Sequence, residues 1–150
     1  KALEQIKAVK QLMDDGVKIN MGAHGQLQGL GAHWEIWMMQ QGGMSNHQAL
    51  QTATINPAIS LGFDKSIGSL EVGKLADLLV LDKNPLEDIR NTESIQYTMV
   101  NGRLFDSSTM QEIGKATKAA PGFYWILEKN AASFPWHDGT QESGCICGKH

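Results

Sequence analysis

Residues 60–89 read SLGFDKSIGSLEVGKLADLLVLDKNPLEDI, and the pattern of the chain changes within them. Upstream, apolar residues recur at helical spacing; from Phe63 onward the period becomes that of β structure. Residues 75–82, LADLLVLD, are almost continuously apolar, which predicts a strand buried on both faces. Gly68 and Gly73 permit tight turns, Lys74 is expected to stay solvated, and Asp77 can hydrogen-bond to an adjacent turn. Asn84-Pro85 marks a turn. Residues 95–106, IQYTMVNGRLFD, then form a hairpin pattern in which Asn101-Gly102 supplies the two positive-φ residues of a type I′ turn.

Working back from Phe63, the first fourteen residues place Leu3, Ile6, Val9, Leu12 and Met13 at helical spacing, with Gly16 where a C-cap would sit. VKINM at 17–21 alternates as a short strand does. A glycine-rich loop, GAHGQLQGLGAH at 22–33, follows at the strand's C-terminal end, where α/β proteins usually bind ligands. A second helix carries Leu30, Trp34, Trp37 and Met38 on one face, read as core against a sheet, and stops at Gly42-Gly43. Ser45 and Gln48 form a capping box for a third helix. Asn56, as N-cap, and Pro57 open a fourth that Gly62 closes. The order α-β-α-α-α followed by β-β-β makes this an α/β chain with a junction near residue 63.

Composition narrows the function. With 150 residues, 41% hydrophobic, 19% charged and a net charge of −3, the chain offers no basic footprint for nucleic acid. No apolar run approaches the roughly 20 residues of a membrane span. Cys145 and Cys147 sit close together near the C-terminus, so disulfides do not staple the fold and the redox compartment stays open. The chain opens at Lys1 inside a helical pattern, which is the expectation for a fragment or processed chain and leaves its localisation open.

The segments Thr54-Ile55-Asn56-Pro57-Ala58 with Leu61-Gly62, Ile67 through Leu78, and Val100-Asn101-Gly102-Arg103 together resemble the closing part of the amidohydrolase superfamily, in its imidazolonepropionase-like and prolidase-like branch. The resemblance covers residues 1–106. It implies that residues 1–62 are the last β/α units of a (β/α)8 barrel, that 63–106 are strands of a small β-sandwich, and that 107–150 are a partly irregular extension. A whole barrel needs roughly 200 to 250 residues, so the resemblance also implies a missing upstream part. The implied activity is metal-dependent hydrolysis of an amide or cyclic amide C–N bond in a small, non-peptide or dipeptide substrate. The implied cofactor is a divalent metal, zinc being the expected ion. Family ligands come from a His-x-His pair, a central lysine or glutamate, and two further histidines. This chain contains no His-x-His, and alone it is expected to be inactive.

The family's last barrel strand ends in an aspartate that binds metal and shuttles a proton. The resemblance puts His24 at that position. An imidazole can ligate a metal or act as a base with a pKa near 6.5, but one nitrogen cannot do both. His24 is therefore the catalytic and metal candidate; the alternative is a loop histidine that only hydrogen-bonds. Gln26, His33 and Glu35 are candidates for pocket lining or support. His33 and Glu35, two apart on a helix, do not converge, and Glu35 resembles a family glutamate usually read as a salt link. Cys145, Cys147 and His150 form an alternative tail metal site, short of a four-ligand set. The aromatic run Phe123-Tyr124-Trp125, with Phe134 and Trp136, could cover an exposed apolar surface. A second reading of the whole is a non-catalytic structural or oligomerisation module, with self-association through the tryptophans and methionines.

Overall fold

A computed structural model describes residues 2–23, 27 and 29–114. Four helices come first: α1 (Ala2–Asp14), α2 (Leu30–Gln41), α3 (Asn46–Gln51) and α4 (Ile55–Ser60). Then follow β1 (Leu78–Leu81), a 3-10 turn (Ile89–Glu93), β2 (Ile95–Val100) and β3 (Arg103–Asp106). The strands make one antiparallel sheet in the order β1-β2-β3. Leu78 faces Met99 across the first pair, and Val100 faces Arg103 across the second.

Local sequence signals account for most of the boundaries. Gly16, at φ 93°, ends α1 in a Schellman motif: Val17 N–H donates to Leu12 O and Gly16 N–H to Met13 O. The Ser45–Gln48 capping box forms as the spacing predicts. Asn101 and Gly102 take φ of 49° and 75°, the type I′ geometry. Asp77 does reach a turn, and it is this one: Asn101 N–H donates to Asp77 Oδ1 at 2.6 Å, while Gly102 N–H donates to Ala76 O. Gly68 sits at φ 92°, where a Cβ would lie 2.6 Å from that of Ala58. The Ile67-Gly68-Ser69 turn can therefore press against α4 only with glycine at its centre.

The core is Ile36, Trp37, Met39, Met44, Ala49 and Ile89, backed by Val9, Met13, Ile19, Met21, Leu50 and Ala53. Helices α1 and α2 close on each other at Ile6 and Gly42. A Cβ on Gly42 would fall 2.1 Å from Ile6 Cγ2, so glycine sets the interhelical distance there.

Five expectations need correction. VKINM at 17–21 forms no ladder with any described strand; side-chain and helix groups take its bonds instead. Met21 N–H donates to Thr52 O, and Ile19 O accepts from Asn56 Nδ2 at 3.0 Å. For that reason Asn56 is not an N-cap: the helix begins at Ile55 after Thr54, and Asn56 is buried with its amide spent on Ile19. The predicted strand 75–82 shortens to β1 and is not buried on both faces, Leu79 being 54% exposed. Lys74 is not solvated. Its side chain is only 11% exposed, because its ammonium donates to Ser69 Oγ and Glu71 Oε1 within the same turn. Finally, α2 does not bury Leu30, Trp34 and Met38 with Trp37; its inward residues are Ile36, Trp37 and Met39. The sequence LGAHWEIWMMQQ is apolar on nearly every side, so periodicity alone could not select the inward face.

Candidate functional site

The stretch 17–23 runs from the end of α1 to the glycine-rich turn and rests against α2. Ile19 and Met21 point inward to the core while Val17, Lys18 and Asn20 are exposed. The alternation is thus realised in burial from Lys18 onward, with Val17 left exposed, and not in pairing. At its far end the Gly22 amide donates to Glu35 Oε2 at 3.0 Å. Gly31, in the first turn of α2, lies close enough to Ala23 that a Cβ there would be 3.5 Å from the Ala23 carbonyl oxygen.

These contacts frame an open cleft of about 250 Å3, lined by Ile6, Gly22, Ala23, Trp34, Glu35 and Met38 among others. Its walls are mainly apolar, with the Glu35 carboxylate as the acidic group among those residues. Trp34 and Met38 are 43% and 42% exposed. Together with Leu27 and Leu30 they make an apolar stripe along the outer face of α2. Sequence reasoning read Trp34 and Met38 as core and so missed them as cleft wall. The i, i+4, i+8 spacing of Leu30, Trp34 and Met38 was the available signal.

His33 and Glu35 are separated, as their spacing predicts. Glu35 faces the turn; His33 faces the other way, its Nδ1 3.1 Å from Thr92 Oγ1. The hydroxyl of Thr92 also accepts from Trp37 Nε1, which donates in parallel to the Ile89 carbonyl, both at 3.0 Å. Arg90 lies over the Trp37 ring at 4.7 Å. This cluster joins α2 to the 3-10 turn and is structural. Nothing in the sequence pattern pointed to Thr92. His47 is exposed at the start of α3, as expected of a solvated histidine. His24, Gln26, Cys145, Cys147 and His150 lie outside the described residues.

A second depression, lined by Ile55, Ile59, Asp64, Lys65 and residues 71–74, lies beside the Ser69–Lys74 turn. Glu71's carboxyl is held below its ordinary range by the hydrogen bond from Ser69 and by the bond and charge of Lys74. Ser69, Glu71 and Lys74 are spent on one another, and that network closes the turn.

Among the described residues no three His, Cys, Asp or Glu side chains converge on a point that could hold a metal ion. Glu35 is directed to a backbone amide and His33 to a buried hydroxyl. The described donors do not fit a metal. Among the described residues, too, no helix is long and apolar enough to cross a membrane.

Residues 1–105 match the amidohydrolase family. The chain belongs to that family. It is 31% identical over 104 residues to an ochratoxinase of Aspergillus niger, an alignment covering 67% of this chain and 22% of that protein. It is 39% identical over 66 residues to a probable imidazolonepropionase of Homo sapiens, covering 41% of this chain and 16% of the relative. Among solved structures it superposes on a Xaa-Pro dipeptidase with bound methionine in its active site, at a TM-score of 0.62 and 32% identity, over 70% of this chain and 25% of that one. It also superposes on a molinate hydrolase at a TM-score of 0.52 and 28% identity, over 76% and 24% of the two chains. These neighbours have the amidohydrolase fold, and the chain spans about a fifth of the length of the curated relatives it matches first.

Proposed function

We propose that this chain is the C-terminal part of a metal-dependent hydrolase that cleaves an amide or cyclic amide C–N bond in a small substrate. In this reading residues 1–62 close a (β/α)8 barrel, 63–106 belong to a small β-sandwich, and 107–150 extend beyond it. The relatives support the class: an ochratoxinase, an imidazolonepropionase and a Xaa-Pro dipeptidase. The described donors do not fit a divalent ion, zinc being the one expected for the family, so no catalytic step is assigned through one. His24 is this chain's contribution to the reacting centre, as the base or as a ligand. A neutral imidazole with a pKa near 6.5 holds or releases a proton at working pH.

The observation that carries the reading is the course of residues 17–23. From Lys18 they alternate outward and inward, and Gly22 and Ala23 line a cleft just ahead of His24, the position the resemblance gives to the family's aspartate. The test is the longer protein. N-acyl amino acids and Xaa-Pro dipeptides are assayed for amine release with the unmodified enzyme and with His24→Ala. Loss of kcat by about 10²-fold or more fits a general base; an unchanged kcat refutes the role of His24. A second reading, a non-catalytic association module, is favoured by the exposed stripe of Leu27, Leu30, Trp34 and Met38. It requires a dimer in sedimentation at micromolar concentration, and a monomer there removes it.

A further inference from the structure

We propose that Glu35 is a positioning residue, whose carboxylate holds the Gly22 amide and thereby fixes the turn that leads into His24. The inference rests on the reading of His24 given above. The bond is 3.0 Å between groups thirteen residues apart, and it is charge-assisted, an amide donating to a carboxylate. Its two ends differ in rigidity. Glu35 stands in the second turn of α2, between the buried Ile36–Trp37 pair and the cleft-lining Trp34, so the helix and its core contacts fix the acceptor. Gly22 lies in a stretch whose backbone is in no ladder, and the bond from Met21 to Thr52 is the last backbone contact before it. A carboxylate on a packed helix therefore takes over where the main-chain support of the turn stops.

The salt link expected for Glu35 is replaced by this bond. Among the described residues the carboxylate pairs with no Lys, Arg or His, and the Gly22 amide is its partner. The contact lies at the edge of the open cleft that Ile6, Trp34 and Met38 help to line. The first turn of α2 also packs beside Ala23 at Gly31, at van der Waals distance. The Gly22 and Ala23 peptides, two and one residues ahead of His24, thus both rest on α2. A displacement of about 1 Å in a reacting group costs on the order of 10²-fold in rate, which sets the scale for losing the restraint.

The experiment uses the longer protein with Glu35→Ala and Glu35→Gln, the second keeping an oxygen acceptor while removing the charge. Amide hydrogen exchange at Gly22, read by NMR, reports the bond without reference to catalysis. Glu35→Ala should speed Gly22 exchange by about 10-fold or more and lower kcat by about 10- to 100-fold, with KM within about 3-fold. Glu35→Gln should restore both exchange and kcat to within about 3-fold and leave the pH profile of kcat in place. Three results overturn the proposal: unchanged Gly22 exchange in Glu35→Ala, a Glu35→Gln variant as slow as Glu35→Ala, or a shifted pH profile in Glu35→Gln. If the unmodified protein hydrolyses no C–N substrate, or His24→Ala is fully active, the functional reading fails and the positioning role with it. The Gly22 exchange rate still reports the bond in that case, so the two failures are told apart.

Discussion

The Trp37 indole makes the most exacting energetic test. It is buried in the core, and its one N–H is shared between the Ile89 carbonyl and the Thr92 hydroxyl at 3.0 Å each. Trp37→Phe removes the donor and part of the ring. Thr92 keeps the contact with His33 Nδ1, and the Ile89 carbonyl, already inside the 3-10 turn, loses the indole as a second donor. Losing a buried hydrogen bond costs about 0.5–1.5 kcal/mol. The weaker stacking of Arg90 adds about 0.5–1 kcal/mol, and the volume lost on going from indole to phenyl adds roughly 1 kcal/mol more. The expected destabilisation is therefore about 2–3.5 kcal/mol, measured as a shift of the urea midpoint by circular dichroism. Thr92→Val removes one of the two acceptors, so in that background the same tryptophan change should cost about 0.5–1.5 kcal/mol less. If Trp37→Phe stays within about 0.5 kcal/mol of the unmodified chain, or the two changes are strictly additive, the shared hydrogen bond is not what joins α2 to the 3-10 turn.

Gly42→Ala should destabilise by about 1–3 kcal/mol in the same unfolding assay, because the new methyl meets Ile6, and Ile6→Ala should relieve most of that loss. Asp77→Ala should lower stability by about 0.5–1.5 kcal/mol by freeing the Asn101 amide, and amide exchange at Asn101 should rise with it. The Asp106 carboxyl is held below its ordinary range, first by the side-chain bond from Ser108 and then by the amide and hydroxyl of Thr109. Its folded pKa is depressed, so its stabilising contribution is complete above the unfolded value near 3.9 and is lost as pH falls through the folded value. The gap in thermal midpoint between the unmodified chain and Asp106→Asn should accordingly be constant above about pH 5 and close progressively below about pH 4; a gap independent of pH would refute the assignment.

The parts of this fold that could be read from sequence are those set by neighbours a few residues away. The Gly16 terminus, the Ser45–Gln48 box and the Asn101-Gly102 hairpin each need only local chemistry, and each formed as expected. What could not be read depends on distant partners. The inward face of α2 is chosen by Ile89 and Thr92, which lie beyond any helical window. Asn56 looks like a cap until the Ile19 carbonyl, 37 residues earlier, is brought beside it. Lys74 looks solvated because lysine usually is, and its burial follows from two oxygens that the Ser69–Lys74 turn happens to present. For the site, residue spacing correctly separated His33 from Glu35, but no periodicity could reveal that a carboxylate would seek a backbone amide.

The bond from Trp37 to Thr92 also bears on how the chain is made. The two residues are 55 positions apart, and synthesis proceeds at about 5–20 residues per second. For roughly 3 to 11 seconds after Trp37 is polymerised, its indole has no Thr92 to meet. Throughout that interval the inner face of α2 can pack on α1 and α3 but lacks its cover from Ile89 and Thr92. Slow codons placed between residues 37 and 92 would lengthen the time for which the indole lacks Thr92.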